Sequence, residues 1–253
     1  MKILGVIPAR YASTRFPGKP LAVIGEKTMV QRVYEQASKA KSLDAVVVAT
    51  DDIAILNHVK SFGGQVVMTS ENHKSGTDRV KEAWKVFGGE FDIVINIQGD
   101  EPFINPQQID DLAGQFKDSK TQIATMAKKI DKKTELSDEN VVKVVFASSG
   151  KAIYFSRFPI PFLRGVEEDK RIDNFDFYKH IGIYAYRSVV LSEIVDLPVS
   201  SLETAESLEQ LRWLETGYTI QVVETNFESM GIDTYNDLNK AKHFIEEQHN
   251  ENQ

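Results

Sequence analysis

The residues best suited to chemistry form a short cationic loop near the start of the chain. The segment GVIPARYASTRFPGKPL contains Arg10, Arg15 and Lys19, with Pro17, Gly18 and Pro20 around them. Two guanidinium groups and one ammonium on a backbone restricted by proline suit a triphosphate, since a rigid loop loses little entropy on binding. The alternative is a solvated basic loop. The segment is neither a Walker loop nor a dinucleotide motif, because Gly-Lys is followed by Pro and G-x-G-x-x-G is absent.

Two acidic residues follow predicted strands and form the second signal. Asp100 ends the run INIQGD, and Asp233 in MGIDTYNDL lies between a strand and the last predicted helix. A carboxylate beside a bound triphosphate is tolerated mainly when a cation lies between them, and magnesium accepts one or two carboxylates plus phosphate oxygens. The alternatives are an ordinary turn at Asp100 and a helix N-cap or first-turn acid at Asp233.

Other polar segments give less specific signals of function. Helix capping explains most of SGTDR at 75–79 but does not explain Arg79. The segment 203–216 is predicted as one helix, on which Glu206 and Gln210 share a row beside Glu209, and an exposed helix surface is the default interpretation. A histidine within an apolar strand, such as His180, is more often a core residue than a working one.

The elements that would position these residues alternate between apolar strands and amphipathic helices up to about residue 120. This alternation predicts an α/β fold with a parallel sheet covered by helices on both faces. Gly63-Gly64 and Gly88-Gly89 are predicted to end two helices in left-handed conformations. From about 120 to 190 the chain is rich in strands, with a hairpin turn at 148–151. We expect residues 1–253 to form a single domain, whose strand-rich region at about 120–190 extends the sheet in antiparallel or mixed fashion and serves as a subunit contact.

Composition excludes several classes of function. The net charge of −7 disfavours general attraction to nucleic acid or anionic membranes, and the absence of cysteine removes disulfides and thiolate chemistry. No stretch approaches the ~20 apolar residues of a membrane span, and the first apolar run is too short for a signal peptide. These features predict a cytoplasmic protein with no membrane insertion and no nucleic-acid partner.

In combination, the motifs resemble the 3-deoxy-manno-octulosonate cytidylyltransferases, also called CMP-Kdo synthetases. The motifs that carry this resemblance are IPARYASTRFPGKPL, VATDD, FGGQVVMTSENHKSGTDR, NIQGDEPFI, AIYFSR, KHIGIYAYR, LETAESLEQLR and GIDT, in family order from residue 7 to 234. The resemblance implies a three-layer, Rossmann-like nucleotidyltransferase fold with a mixed, mostly parallel sheet. It further implies transfer of CMP from CTP to Kdo (3-deoxy-D-manno-octulosonate) for lipopolysaccharide biosynthesis, by a cytoplasmic homodimer that requires Mg²⁺.

The resemblance also implies roles for individual residues. Residues expected to contact CTP are Arg10, Ser13, Arg15, Lys19, Ser75, Gly76, Arg79 and Gln98. Residues expected to contact the sugar acid are Gln98, Arg157, Arg164, His180, Tyr184, Glu209 and Gln210. Asp100 and Asp233 would bind the metal, and together with Arg10 and Lys19 they form the expected catalytic set.

Departures from the family pattern keep alternatives open. Tyr235 and Asn236 stand where family members commonly have Pro and Glu, which predicts a changed helix start rather than a lost metal ligand. The 8-amino analogue of Kdo would be served by nearly the same motifs. A CMP-sialic acid synthetase is the enzymatic alternative, although its usual PARGGSKGIPRKN loop differs from this one. A catalytically inactive sensor on the same fold is the alternative from another class.

Overall fold

A computed structural model describes residues 1–12, 16–73, 75–228 and 230–251 of the 253-residue chain. Ser13 and Arg15, two of the predicted triphosphate contacts, lie outside the described residues. The chain forms two compact units, of which the first comprises Met1–Asp110 with Ser229–Gln253 and the second comprises Asp111–Glu228. The second unit therefore contains the predicted strand-rich region at about 120–190.

The regular elements within the described residues are eleven strands and ten α-helices. The strands are β1 Ile3–Pro8, β2 Val23–Ile24, β3 Lys27–Thr28, β4 Ala45–Thr50, β5 Val66–Met68, β6 Ile93–Asn96, β7 Ile123–Lys129, β8 Lys143–Phe146, β9 Ala152–Ser156, β10 Tyr178–Arg187 and β11 Ile220–Glu224. The helices are α1 Met29–Ala37, α2 Ile53–Ser61, α3 Gly76–Phe87, α4 Pro106–Gly114, α5 Lys133–Ser137, α6 Arg171–Asn174, α7 Ser188–Val195, α8 Ser201–Glu206, α9 Gln210–Glu215 and α10 Tyr235–Glu251.

The first unit contains a parallel sheet in the order β6-β1-β4-β5. Strands β1, β4 and β6 are almost entirely buried and apolar, as expected when helices cover the sheet, whereas the edge strand β5 is partly exposed. Helix α3 packs against β1, β4 and β6. Val6 of β1 pairs with Asn96 of β6, so these two strands end side by side and deliver the loops that follow them to one edge.

Two predictions about helix ends in this unit are confirmed. Gly63 and Gly88 follow α2 and α3 with φ values of 80° and 75°, in the left-handed region that favours glycine. Helix α3 begins with a capping box, in which the Ser75 hydroxyl accepts from the amide of Asp78 and the Asp78 carboxylate accepts from the amide of Ser75.

The second unit contains a mixed set of strands. Strands β7 and β11 pair in parallel, whereas β10 pairs antiparallel with β7 and β8. Strands β8 and β9 form the predicted hairpin, whose turn includes Gly150 at a φ of 78°. Tyr184 and Tyr186 of β10 stack on each other, and both meet the ring of Trp213 edge-on. These three rings form the aromatic core of the unit.

The prediction of one continuous helix over 203–216 is wrong. The chain forms α8 and α9 instead, separated by Ser207, whose φ of 54° lies in the left-handed region. The default interpretation of this segment as exposed helix surface is also wrong, since only 6% of Gln210 is exposed. No helix among the described residues is long and apolar enough to cross a membrane.

Candidate functional site

Lys19, Asp100 and Asp233 form a compact cluster of charged side chains in the described part of the first unit. The Lys19 ammonium lies 2.7 Å from Oδ2 of Asp100 and 3.1 Å from Oδ1 of Asp233. The lysine side chain is 15% exposed, and the two aspartate side chains are 31% and 49% exposed. Residues separated by up to 214 positions therefore converge on one point while their carboxylates remain accessible to a ligand.

The approach of β1 and β6 explains how Lys19 and Asp100 meet. The amide of Ile97 donates to the carbonyl of Val6 at 2.9 Å, which continues the pairing past the end of β6. A Cβ atom at Gly99 would lie 2.3 Å from the carbonyl oxygen of Pro8, so only glycine allows this turn to approach the end of β1 so closely. Asp100 follows that turn directly and is therefore held beside the loop that carries Lys19.

A separate set of contacts brings Asp233 to the same point. The amide of Ile232 donates to the carbonyl of Asp100 at 2.9 Å. Ile232 itself lies in a hydrophobic cluster with Phe16, Met29 and Leu238. The cationic loop, the turn after β6 and the start of α10 thus share one buried support.

The N-cap interpretation of Asp233 is wrong, because Thr234 caps α10. The Thr234 hydroxyl accepts from the amide of Asp237 at 3.2 Å, and the Asp237 carboxylate accepts from the amide of Thr234 at 3.0 Å. The helix begins at Tyr235, whose ring lies 4.2 Å from that of Phe16. Since the cap is made by its neighbours, the Asp233 carboxylate is positioned to contact Lys19.

The donor set at this point fits a magnesium ion. Both carboxylates already converge on one cationic group, the Lys19 ammonium, which marks a place where positive charge is stabilised. Two carboxylate oxygens are a typical protein contribution to a Mg²⁺ shell that is completed by phosphate and water. No cluster of three or more His, Asp or Glu side chains within the described residues could hold a metal. An ion held by Asp100 and Asp233 would therefore need ligands from substrate and solvent.

The other predicted CTP contacts of this unit differ in how far they are exposed to solvent. Arg10 is exposed just beyond β1, and Gln98 lies partly buried in the turn after β6. Arg79 is 4% exposed, and its guanidinium donates to Asp51 and to Thr69, both at 2.6 Å. This buried residue ties the ends of β4 and β5 together, which accounts for an arginine that capping did not explain.

The predicted sugar contacts other than Gln98 lie in the second unit, where burial shifts the pKa values of two aromatic residues of β10. Nε2 of His180 lies 2.9 Å from the Thr125 hydroxyl, and burial lowers the pKa of His180 to about 3. The imidazole is therefore neutral at physiological pH. Tyr184 is 7% exposed within the aromatic core, and burial raises its pKa well above the usual value. Neither ring carries charge, so any contact with a substrate would be made by hydrogen bonding or packing.

Arg157 has a role that sequence reasoning missed. Its guanidinium donates to the backbone carbonyls of Glu206, Glu139 and Ser207 at 2.7, 3.1 and 3.4 Å. Arg164, the other arginine predicted to meet the sugar carboxylate, is exposed. The two arginines therefore differ in how much of their donor capacity the protein itself uses.

Glu206 and Lys143 were also missed as organising residues. The Glu206 carboxylate accepts from the Ser156 hydroxyl and the Arg157 amide, and the ammonium of fully buried Lys143 donates to three backbone carbonyls. The available signal for Lys143 was a charged residue within the apolar strand VVKVVFA. Glu206 carried no such signal, because it fits an exposed helical row.

Comparisons with known proteins agree with this geometry. A family model described as Cytidylyltransferase matches residues 4–222. The 3-deoxy-manno-octulosonate cytidylyltransferase of Parabacteroides distasonis is 55% identical over 249 residues, which cover 97% of this chain and 98% of the relative. The chain belongs to the 3-deoxy-manno-octulosonate cytidylyltransferase family. The relative of the same name from Bacteroides thetaiotaomicron is also 55% identical, over 248 residues that cover 97% of this chain and 98% of the relative.

A solved structure supports this cytidylyltransferase assignment at the level of the fold. A CMP:2-keto-3-deoxy-manno-octonic acid synthetase complexed with CTP superimposes with a TM-score of 0.90 at 41% identity, and the match covers 98% of this chain and 100% of that one. The predicted fold, an α/β nucleotidyltransferase with a mixed, mostly parallel sheet, is confirmed by this match. The predicted family resemblance is confirmed as well, whereas the roles of individual residues remain predictions.

Proposed function

We propose that this cytidylyltransferase transfers CMP from CTP to the anomeric hydroxyl of Kdo, giving CMP-Kdo and pyrophosphate. The observation that carries the proposal is the convergence of Lys19, Asp100 and Asp233 at the carboxyl ends of β1 and β6. This arrangement supplies positive charge for phosphates and carboxylates for a divalent ion in one place. The names of relatives at 55% identity and of a solved CTP complex at 41% identity supply the nucleotide and the sugar.

The cationic residues of the first loop would hold the triphosphate. Lys19 is positioned to donate to phosphate oxygens, and Arg10 is exposed beside the same strand end. As the bond from the α-phosphorus to its bridging oxygen breaks, negative charge grows on the departing pyrophosphate. Preorganised positive groups stabilise this charge more than they stabilise the ground state, which lowers the barrier.

Asp100 and Asp233 would hold a magnesium ion, as their shared contact with one ammonium suggests. The ion would shield the negative charges of the substrates and lower the pKa of the attacking hydroxyl. The reaction itself is an in-line displacement, in which the anomeric oxygen of Kdo bonds to the α-phosphorus and its proton passes to solvent. The protein contributes position and charge rather than a covalent intermediate.

The second unit would contribute recognition of the sugar acid. His180 is neutral and can serve as a hydrogen-bond partner for a hydroxyl, and Glu209 and Gln210 stand at the start of α9. Arg164 is exposed and can offer its full guanidinium fork to a carboxylate. These contacts distinguish a sugar acid from a neutral sugar by charge and from other acids by hydroxyl geometry.

The family further suggests a cytoplasmic homodimer that serves lipopolysaccharide biosynthesis. The second unit exposes Ile153, Phe158 and Phe162 at 63%, 71% and 74%, and these side chains would gain from burial against a second copy. Sedimentation equilibrium tests the assembly. A monomer at all concentrations would contradict the proposed dimer without affecting the proposed reaction.

A pyrophosphate-release assay tests the proposed function. We expect turnover with CTP, Mg²⁺ and Kdo, and the 8-amino analogue and a sialic acid are tested in parallel to identify the preferred acid. Turnover with the sialic acid alone would overturn the sugar assignment. CTP binding without turnover on any sugar acid would favour a nucleotide sensor.

A further inference from the structure

We propose that Arg157 and Glu206 form a clamp that fixes the turn between α8 and α9 and so positions Glu209 and Gln210 for the sugar acid. The inference rests on the proposed function for its sugar-facing half. It assigns Arg157 a positioning role in the scaffold of the sugar site, in addition to the direct contact with the sugar that the family resemblance implies.

The clamp is reciprocal, since each residue binds the backbone of the other. The Glu206 carboxylate accepts from the backbone amide of Arg157 at 2.9 Å, and the Arg157 Nε donates to the backbone carbonyl of Glu206 at 2.7 Å. The second oxygen of the carboxylate accepts from the Ser156 hydroxyl at 2.7 Å. Because these bonds run in both directions, they fix the position of the end of α8 relative to the end of β9.

The turn that the clamp holds is conformationally demanding. Ser207 is the only residue other than glycine with a positive φ within the described ranges, and its ψ of 47° completes a left-handed geometry. Such a conformation is disfavoured for a side chain with a Cβ and persists when surrounding contacts hold it. The Arg157 guanidinium donates to the carbonyls of Glu206 and Ser207, one before the bend and one within it. It therefore supports the backbone where it is most strained.

Lys143 holds the other side of Arg157. Its fully buried ammonium donates to the carbonyls of Arg157, Asp138 and Val141, each at 2.7 Å. The backbone of Arg157 is thus held at its amide by a carboxylate and at its carbonyl by an ammonium. A residue fixed in this way is a suitable anchor for a neighbouring turn.

The turn leads directly into the predicted sugar contacts. Glu209 is the N-cap of α9 and Gln210 is its first residue, two and three positions after the left-handed bend. A change of φ at Ser207 would rotate both side chains together. Displacement of a binding group by about 1 Å can reduce activity by ~100-fold, so control of this bend is control of the sugar site.

The geometry also limits what Arg157 can do for a substrate. Its Nε and both terminal nitrogens each donate to a backbone carbonyl, and a bidentate grip on a substrate carboxylate would require two of these nitrogens to face one anion. Arg164, the other predicted partner of the substrate carboxylate, is exposed. We therefore assign the conformation of the turn to Arg157, and Arg164 remains a predicted partner of the substrate carboxylate.

The test compares Glu206→Gln and Arg157→Lys with a control on the same helix, Glu203→Gln. Glu203 also binds an arginine, since its carboxylate accepts two side-chain bonds from Arg212, whereas the Glu206 carboxylate accepts from the backbone amide of Arg157. We expect both clamp variants to raise KM for Kdo by about 10-fold or more while KM for CTP changes by less than about 2-fold. The control should leave both KM values near wild type. The double variant should be no worse than the worse single variant, because the two residues act as one unit.

A second measurement tests, in the absence of substrate, whether the clamp holds the turn. Amide hydrogen exchange over 207–210 should accelerate in Glu206→Gln and in Arg157→Lys, and should stay at the wild-type rate in the control. If Glu206→Gln fails to fold, Ser156→Ala replaces it, since this change removes one donor to the same carboxylate and should give a smaller rise in the same KM.

Two results would overturn the inference in different ways. A raised KM for Kdo in Arg157→Lys with wild-type values and wild-type exchange in Glu206→Gln would show that Arg157 binds the sugar itself. Absence of turnover by the wild-type enzyme would overturn the proposed function and the sugar-facing half of the inference, whereas the exchange rates would still decide whether the clamp exists.

Discussion

Two groups of charged residues, one in each unit, bind different kinds of partner. In the first unit, Lys19 contacts the side chains of Asp100 and Asp233, all three of which keep some exposure to solvent. In the second unit, Lys143 and Arg157 donate to backbone carbonyls, and Lys143 is fully buried. Side chains that pair with each other can exchange that partner for a charged ligand, whereas side chains bound to the backbone hold the fold in one conformation.

The difference follows from desolvation. A partly exposed ion pair contributes about 1 kcal/mol or less to stability, because water competes for both partners. A buried carbonyl that loses its donor costs about 1 to 3 kcal/mol, because nothing replaces the bond. We therefore expect substitutions in the first group to change activity and substitutions in the second group to change stability.

Asp100→Asn should have the largest effect on turnover. The change removes the negative charge that would hold the divalent ion while it retains the size of the side chain. We expect kcat to fall by about 100- to 1000-fold, the range typical for loss of one preorganised electrostatic contact, with little change in unfolding free energy.

The measurement is pyrophosphate release with CTP, Kdo and Mg²⁺. Asp92→Asn is the matched control, since Asp92 precedes the same strand β6 at its opposite end and contacts the amide of Lys2. The control should retain wild-type turnover. Near-normal turnover by Asp100→Asn would contradict the assigned role.

Lys143→Met should have the largest effect on stability. The change leaves three buried carbonyls without their shared donor, and we expect the free energy of unfolding to fall by about 3 kcal/mol. Urea denaturation of both proteins measures it. Lys129→Met is the control, because Lys129 is about half exposed and pairs with the exposed Asp176, and this change should have no measurable effect. An equal loss of unfolding free energy in both variants would show that burial does not make Lys143 more important for stability than Lys129.

His180→Gln should change the pH dependence of the free energy of unfolding. Burial lowers the pKa of His180 to about 3, whereas the unfolded chain takes up a proton near pH 6.5, so acidification favours the unfolded state. We expect stability of the wild type to fall as the pH decreases from 6.5 towards 3, by up to about 1 kcal/mol per pH unit from this group. The substituted protein should show a flatter profile.

Denaturation at a series of pH values checks this expectation. His243→Gln is the control, since His243 is exposed on α10 and pairs with the exposed Glu246. It should retain the wild-type slope. An unchanged slope in His180→Gln would mean that His180 is not desolvated in the folded protein.

The sequence predicted the first unit well because its signals are local. Apolar strands, glycines at helix ends and charged loops after β1 and β6 each follow from short segments, and parallel pairing then brings the loops to one edge. The residue that caps α10 was less predictable, since Asp233, Thr234 and Asp237 are all acceptable capping residues. Only the three-dimensional structure shows which of them makes the cap and which one faces Lys19.

The second unit was less predictable because its decisive feature is an interruption between two helices that no helix-breaking residue marks in the sequence. The segment LETAESLEQLR has no glycine or proline and favours one helix, so the bend at Ser207 depends on tertiary bonds from Arg157. The same bonds explain why Arg157 and Glu206 were assigned to other roles. A sequence pattern records which residues are polar but does not record whether they bind side chains or backbone.

A crystal structure with CTP and Mn²⁺ tests the central claim most directly, since manganese can replace magnesium and its anomalous scattering locates it. We predict an anomalous peak within bonding distance of the carboxylates of both Asp100 and Asp233, with the Lys19 ammonium displaced from at least one of them onto a phosphate oxygen. A metal peak remote from both carboxylates, with Lys19 still bridging them beside bound CTP, would contradict the account.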